Sequence, residues 1–248
     1  MTAITDIHPA VRRRNLLAAC AAIIVFGFAM GLTFPLLSLL LERRGIAETV
    51  IGMNAAMSPL GILMFSVFIP VLARRFGART VTISAAFSAA LILLGYKLFP
   101  SLEAWFALRL IHGMVTAALF VLSETWVVKY ADPGSRGKVV AIYGAALAAS
   151  FGGGPLLISL IGIDGWLPFV IGAVVLVGAI FPIALIQEER LEAEAHAGWG
   201  DIVAFIPKAP ILLAAVFIFA IFDAATLSLI PVYGVRLGYD LAASSNML

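Results

Sequence analysis

Charge is scarce in this chain: Asp, Glu, Lys and Arg make up 12% of its 248 residues, against about a quarter in soluble proteins. So few charges cannot clothe a folded surface for water, so that surface must face lipid. The shortage excludes a disordered chain, a fibrous repeat and a cytosolic enzyme. The 16 basic and 14 acidic residues leave a formal net charge of +2, without the clustered basic face of a nucleic-acid binder. A single cysteine, Cys20, excludes an internal disulfide, and within its apolar run it reads as a small core hydrophobe. His-Glu-x-x-His, Gly-x-Ser-x-Gly and Gly-x-x-x-x-Gly-Lys are absent, as are a metal-ligand cluster and a pair of intramembrane acids in one site. The expectation is therefore no enzyme, no metal and no cofactor.

What abounds is apolar: 62% of the residues are hydrophobic and the mean hydropathy is +1.09. Uncharged runs cover Leu16 to Leu41, Thr49 to Ala73, Thr80 to Tyr96, Val139 to Ile163 and Gly165 to Gln187. Ala104 to Val128 and Ala209 to Val235 have the same character with embedded charge. Each run is near the roughly 20 residues that span a bilayer as a helix, the form in which a segment satisfies its own backbone in hydrocarbon. The reading is an all-α membrane protein of seven spans. The first run, after Arg12, Arg13 and Arg14, is about twice as long as a signal-peptide core and is read as a retained helix.

Lys and Arg in the connections set the orientation. With the N-terminus inside, the cytoplasm receives Arg12 to Arg14, Arg74, Arg75, Arg79, Lys129, Arg136, Lys138, Arg190 and Lys208. The outside receives Arg43, Arg44, Lys97 and Arg236. A cytoplasmic N-terminus is predicted. Glu188 to Lys208 is a longer polar connection with an amphipathic piece, Trp199 to Ile206, suited to the membrane surface. It divides six spans from the seventh. A weak echo crosses that divide: span one ends Pro35-Leu-Leu-Ser-Leu-Leu-Leu-Glu-Arg-Arg-Gly45 and span seven ends Pro231-Val-Tyr-Gly-Val-Arg-Leu-Gly238. The expected organisation is a six-helix half over 1–187, an inter-half loop over 188–208, and over 209–248 the first span of a second half whose remainder is missing.

At these places the residues resemble the major facilitator superfamily, transporters built from two six-helix halves. The loop after span two, Pro70-Val-Leu-Ala-Arg74-Arg75-Phe-Gly77-Ala-Arg79, is similar to the family's Gly-x-x-x-Asp-Arg-x-Gly-x-basic pattern at Arg75, Gly77 and Arg79. It departs at Pro70 and Arg74. Span four carries Arg109-Leu-Ile-His-Gly113 and Glu124-Thr-Trp126, and the loop Asp132-Pro-Gly-Ser-Arg136-Gly137-Lys138 resembles the family's link into span five. Gly154-Pro155 is similar to the antiporter motif of span five, but Ile158-Ser159 stands where a glycine pair follows. The resemblance implies a 12-span transporter with spans one, four and seven lining its cavity.

Such a machine needs rigid bundles, a polar cavity and charges whose state changes. Helices in lipid pack through small residues, and Gly27 with Gly31, and Gly144 with Ala148, Gly152 and Gly154-Pro155, are the candidate packing positions. On span four, Arg109, His112, Thr116 and Ser123 share a face at helical spacing, with Phe120 between. A guanidinium facing lipid costs from about 2.5 to over 10 kcal/mol, so Arg109 belongs in the interior, in a transport site or a structural pair. Asp223, with Thr226 one turn on, is the acid near the middle of span seven. It suits a proton carrier, with or without His112, or a partner of Arg109. Glu124 lies about 22 Å along the helix from Arg109 at 1.5 Å per residue. It is expected beside Arg74, Arg75, Gly77 and Arg79 as a conformational latch. His8 and His196 are loop residues by position. Trp105, Trp126, Trp166 and Trp199 mostly stand near span ends, as interfacial aromatics do.

A retinal-type seven-helix protein needs a lysine in its last span, and none lies between Lys138 and Lys208 or beyond it. A seven-helix receptor or a non-transporting membrane partner is the alternative of another class. The leading reading is a proton-coupled secondary transporter in a bacterial inner or plasma membrane, moving a small-molecule substrate through the lipid bilayer. Export of amphipathic compounds leads, sugar or organic-acid uptake is second, and no nucleic acid is involved.

Overall fold

The computed structural model describes residues 8–185 and 206–247. The helices are α1 (Pro9–Arg43), α2 (Glu48–Ser66), α3 (Ile69–Phe76), α4 (Ala78–Leu98), α5 (Leu102–Tyr130), α6 (Arg136–Ile161), α7 (Leu167–Gly178), α8 (Ile180–Ala184), α9 (Pro210–Arg236) and α10 (Leu241–Ser245). No strand occurs among the described residues. Among the described residues, seven helical segments are long and apolar enough to cross a membrane, α7 and α8 counting together as one. The inter-half loop, with Arg190, His196 and Trp199, lies outside the described residues up to 205, and Ile206–Lys208 forms one 3-10 turn leading into α9.

Helix ends follow local chemistry. His8 caps α1, its Nδ1 accepting from the Ala10 amide at 3.3 Å. Pro9 stands at the first position, where a missing N–H costs nothing. Thr49 to Ala73, read as one span, is broken after Ser66 and resumes at Ile69. Pro70 accounts for the restart, since it has no amide to continue a ladder. Span six is likewise interrupted at Ala179.

The buried axis of the bundle is α1, which packs most extensively against α6 and also meets α5 and α9. Prolines and glycines explain how closely α1 and α6 approach. Pro35 inside α1 leaves the Gly31 carbonyl without its ladder donor, and Pro155 inside α6 does the same to Phe151. Those carbonyls sit at the crossing. A Cβ on Gly31 would stand 2.1 Å from the Phe151 oxygen, and one on Gly154 2.2 Å from the Gly31 carbon. Glycine Cα–H groups can approach such oxygens as weak donors. Gly27 approaches Ser150 in the same seam. The second seam, α2 on α5, uses Gly61 against the Leu110 carbonyl and Gly113 against the Ser58 carbonyl.

Gly144 and Gly152 depart from the expected stripe. Both are exposed, with nothing within 4 Å of an added Cβ, and Ala148 between them is exposed too. The packed face of α6 runs instead through Tyr143, Ser150, Gly154, Pro155 and Ile158. Cys20 is half-buried rather than in the core. Trp105 and Trp126, expected at an interface, are 1% and 2% exposed.

The echo between spans one and seven extends to their geometry. Pro35 and Pro231 lie inside their helices, and Gly45 (φ 70°) and Gly238 (φ 89°) turn the chain after each, a conformation that glycine adopts without steric cost. A new helix then starts, at Glu48 or Leu241.

Ion pairs lie at both ends of the bundle. At the N-terminal end Arg12 meets Asp132 at 3.1 Å. At the opposite end Arg43 meets Asp164 at 2.5 Å, and Arg44 donates to the Pro100 carbonyl at 2.6 Å. Arg236 of α9 bonds Glu42 through Nε and Nη2 at 2.7 and 2.9 Å and also bonds Glu48.

Candidate functional site

Ser101 starts α5 by accepting from the Ala104 amide at 3.2 Å. From there the helix turns one polar face inward: Arg109, His112, Thr116 and Ser123 have 0% exposure. The lower part of that face is satisfied. Thr116 returns its hydroxyl to the His112 and Gly113 carbonyls at 2.8 and 3.2 Å. Ser123 donates to the Phe120 carbonyl at 2.8 Å and shares a 2.8 Å hydrogen bond with the Tyr143 hydroxyl.

The upper part is not satisfied. Nη2 of Arg109 donates to the Thr33 carbonyl of α1 at 3.2 Å, and the guanidinium carbon lies 4.9 Å from the Phe34 ring centroid. Nε and Nη1 have no partner among the described residues. No carboxylate pairs with Arg109 there. Both imidazole nitrogens of His112 are also unpartnered, with the ring edge-on to Tyr96 at 6.1 Å. Tyr96 and His112 lie within electrostatic range of Arg109. Among the described residues the Tyr96 hydroxyl is unpartnered, as are both polar atoms of Asn54 on α2 and the hydroxyl of Ser38 on α1. All three side chains have 0% exposure. Ser58, one turn beyond Asn54, donates to the Arg109 carbonyl at 3.3 Å.

Asn54, Tyr96, Thr33 and Ser38 escape a reading that follows charge. Asn54 and Ser58 at i and i+4 in the middle of an uncharged span are the signal that could have found Asn54. Trp105 supports the outer edge: its Nε1 donates to the Tyr96 carbonyl at 2.9 Å, and Arg44 stacks over its ring at 4.2 Å.

Other expected site residues stand apart. Asp223 is exposed on α9, makes no hydrogen bond or ion pair among the described residues, and does not partner Arg109; Thr226 is half-buried. Glu124 is exposed, with Tyr143 as an electrostatic neighbour, and no ion pair joins it to Arg74 or Arg75 among the described residues. Gly77 caps α3 and opens α4.

A buried cation among uncharged donors, inside a bundle of apolar spans, can receive a negatively charged group. An unmade hydrogen bond on a buried polar group costs about 1–3 kcal/mol, which a ligand pairing those groups would recover. The fold and this interior polar site define a multi-pass integral membrane protein, and the family follows from comparison. The Major Facilitator Superfamily model matches residues 19–248, and the chain belongs to that family. A Bacillus subtilis (strain 168) protein described as "Uncharacterized MFS-type transporter YfkF" is 25% identical over 240 residues, covering 90% of this chain. The chain spans 59% of the length of that relative.

Proposed function

We propose that this chain supplies the first six-span half and the opening span of the second half of a secondary transporter. It exports amphipathic organic solutes, with Arg109 meeting the solute's negative end. The supporting observation is the fully buried guanidinium whose Nε and Nη1 lack partners among the described residues. Such a charge is costly in a membrane interior, and one retained there marks a solute path by default. His112, Asn54 and Tyr96 supply further polar contacts, and the apolar surroundings accept the rest of the molecule. The proton is carried by Asp223, with or without His112: a carboxyl on the first span of the second half can change its contacts as the halves rock. The protein sits in a bacterial plasma membrane with its N-terminus cytoplasmic, a reading supported by the Lys and Arg bias and the bacterial source of the relative.

Proteoliposomes of the full-length protein test this with fluorescein as an amphipathic anion and ethidium as the cationic control. Wild type moves fluorescein against a proton gradient and Arg109→Gln does not. If Arg109→Gln moves fluorescein normally, the site is elsewhere. If Asp223→Asn keeps full gradient-driven accumulation, Asp223 is not the coupling group. Organic-acid uptake is the second reading, favoured by the same guanidinium, and the direction of flux separates the two.

A further inference from the structure

A lateral groove that shares no lining residue with the polar site lies between α3, α4 and α5. It has a volume of about 370 Å³ and is lined by Phe65, Ile69, Leu72 and Phe76 along the α2–α3 stretch, by Thr80, Ser84 and Ser88 of α4, and by Met114, Val115 and Ala118 of α5. Because α1 crosses away from the N-terminal face and α2–α3 returns, its mouth at Phe76 and Thr80 lies on the membrane face that holds the N-terminus. Two features set it apart from an ordinary lipid-facing seam.

The first is charge at the mouth. Arg75 places its guanidinium 5.3 Å from the centroid of the Phe76 ring, which itself lines the groove. Arg74 and Arg75 are exposed and make no ion pair among the described residues. The second is a row of hydroxyls. Thr80, Ser84 and Ser88 stand at i, i+4 and i+8 on one face of α4. Thr82 in the same helix donates to its i−4 carbonyl at 2.8 Å, the usual outlet for a hydroxyl in a membrane helix. The three groove hydroxyls make no hydrogen bond among the described residues.

From mouth to interior the order is cation, hydroxyl, apolar wall. We propose that this groove seats an anionic glycerophospholipid from the leaflet on the N-terminal side. The phosphate meets Arg74 and Arg75, Thr80 and Ser84 bond the glycerol ester region, and an acyl chain lies along Ile69, Leu72 and Met114. Basic pockets between spans favour anionic headgroups in this way. The inference rests on the chain spanning the membrane and is independent of what Arg109 binds.

The test uses the full-length protein in nanodiscs, comparing the association of palmitoyl-oleoyl phosphatidylglycerol with that of the phosphatidylcholine of the same chains. Wild type prefers phosphatidylglycerol. The double variant Arg74→Gln/Arg75→Gln lowers that preference by about 30-fold, roughly fivefold for each charge. Ser84→Leu fills the groove and lowers retention of both lipids while fluorescein transport continues. Equal association of the two lipids with wild type, a preference that survives the double variant, or retention unchanged by Ser84→Leu would each overturn the proposal.

Discussion

Replacing Arg109 by Met separates a solute-binding cation from a structural one, because the two make opposite predictions for stability. The guanidinium gains one charged hydrogen bond, to the Thr33 carbonyl at 3.2 Å, of about 1.5–3 kcal/mol. The Phe34 ring at 4.9 Å adds about 2 kcal/mol as a desolvated cation–π contact. Against these stand several kcal/mol for burying the charge and about 1–3 kcal/mol for each of two orphaned N–H positions, Nε and Nη1. The balance favours removal; for scale, a buried ion pair replaced by apolar residues of similar volume gains roughly 1–4 kcal/mol. Arg109→Met is therefore expected to raise the thermal midpoint of the purified full-length protein by a few degrees, at no more than about 2–4 °C per kcal/mol, the value for 150–250 residues. The same variant should lose fluorescein transport. Arg109→Lys keeps the charge but not the planar fork, and should stay near wild-type stability with weakened transport. A fall in the midpoint of Arg109→Met would refute the reasoning, since the guanidinium would then be holding the bundle together.

The close approach of α1 and α6 predicts that Gly31→Ala and Gly154→Ala destabilise by about 1–3 kcal/mol or more, as overpacking does. The added Cβ atoms would stand 2.1 and 2.2 Å from opposing backbone. Gly144→Ala and Gly152→Ala meet open space, and their melting curves in detergent should overlay wild type. At the end opposite the N-terminus, Glu42→Gln/Glu48→Gln removes both partners of Arg236. Exposed pairs are worth about 0.2–1 kcal/mol each, so the global midpoint should hardly move. Hydrogen exchange over the last turns of α9 should quicken, and unchanged exchange would mean that the pairs do not fasten it. If Glu124 acts as a latch, Glu124→Gln alters cross-linking rates between the cytoplasmic ends of the halves; identical rates would end that reading.

The sequence by itself determined that this chain lies in a membrane as seven apolar helices. Backbone groups in hydrocarbon must be satisfied locally, so a run of about 20 uncharged residues is already a structural statement. It also marked Arg109 and His112 as inward-facing, because a charge on lipid is expensive. Tertiary structure alone decided which small residues pack: Gly31 and Gly154 meet a neighbouring backbone while Gly144 and Gly152 do not. Helical spacing gives a face but not the partner that comes to it. For the same reason, Asn54, Tyr96 and Ser38 emerged as buried polar groups without partners among the described residues only when α1, α2, α4 and α5 were packed together. A neutral polar side chain on an apolar helix costs too little to declare its direction, and only the surrounding helices show whether it is buried and left without a partner.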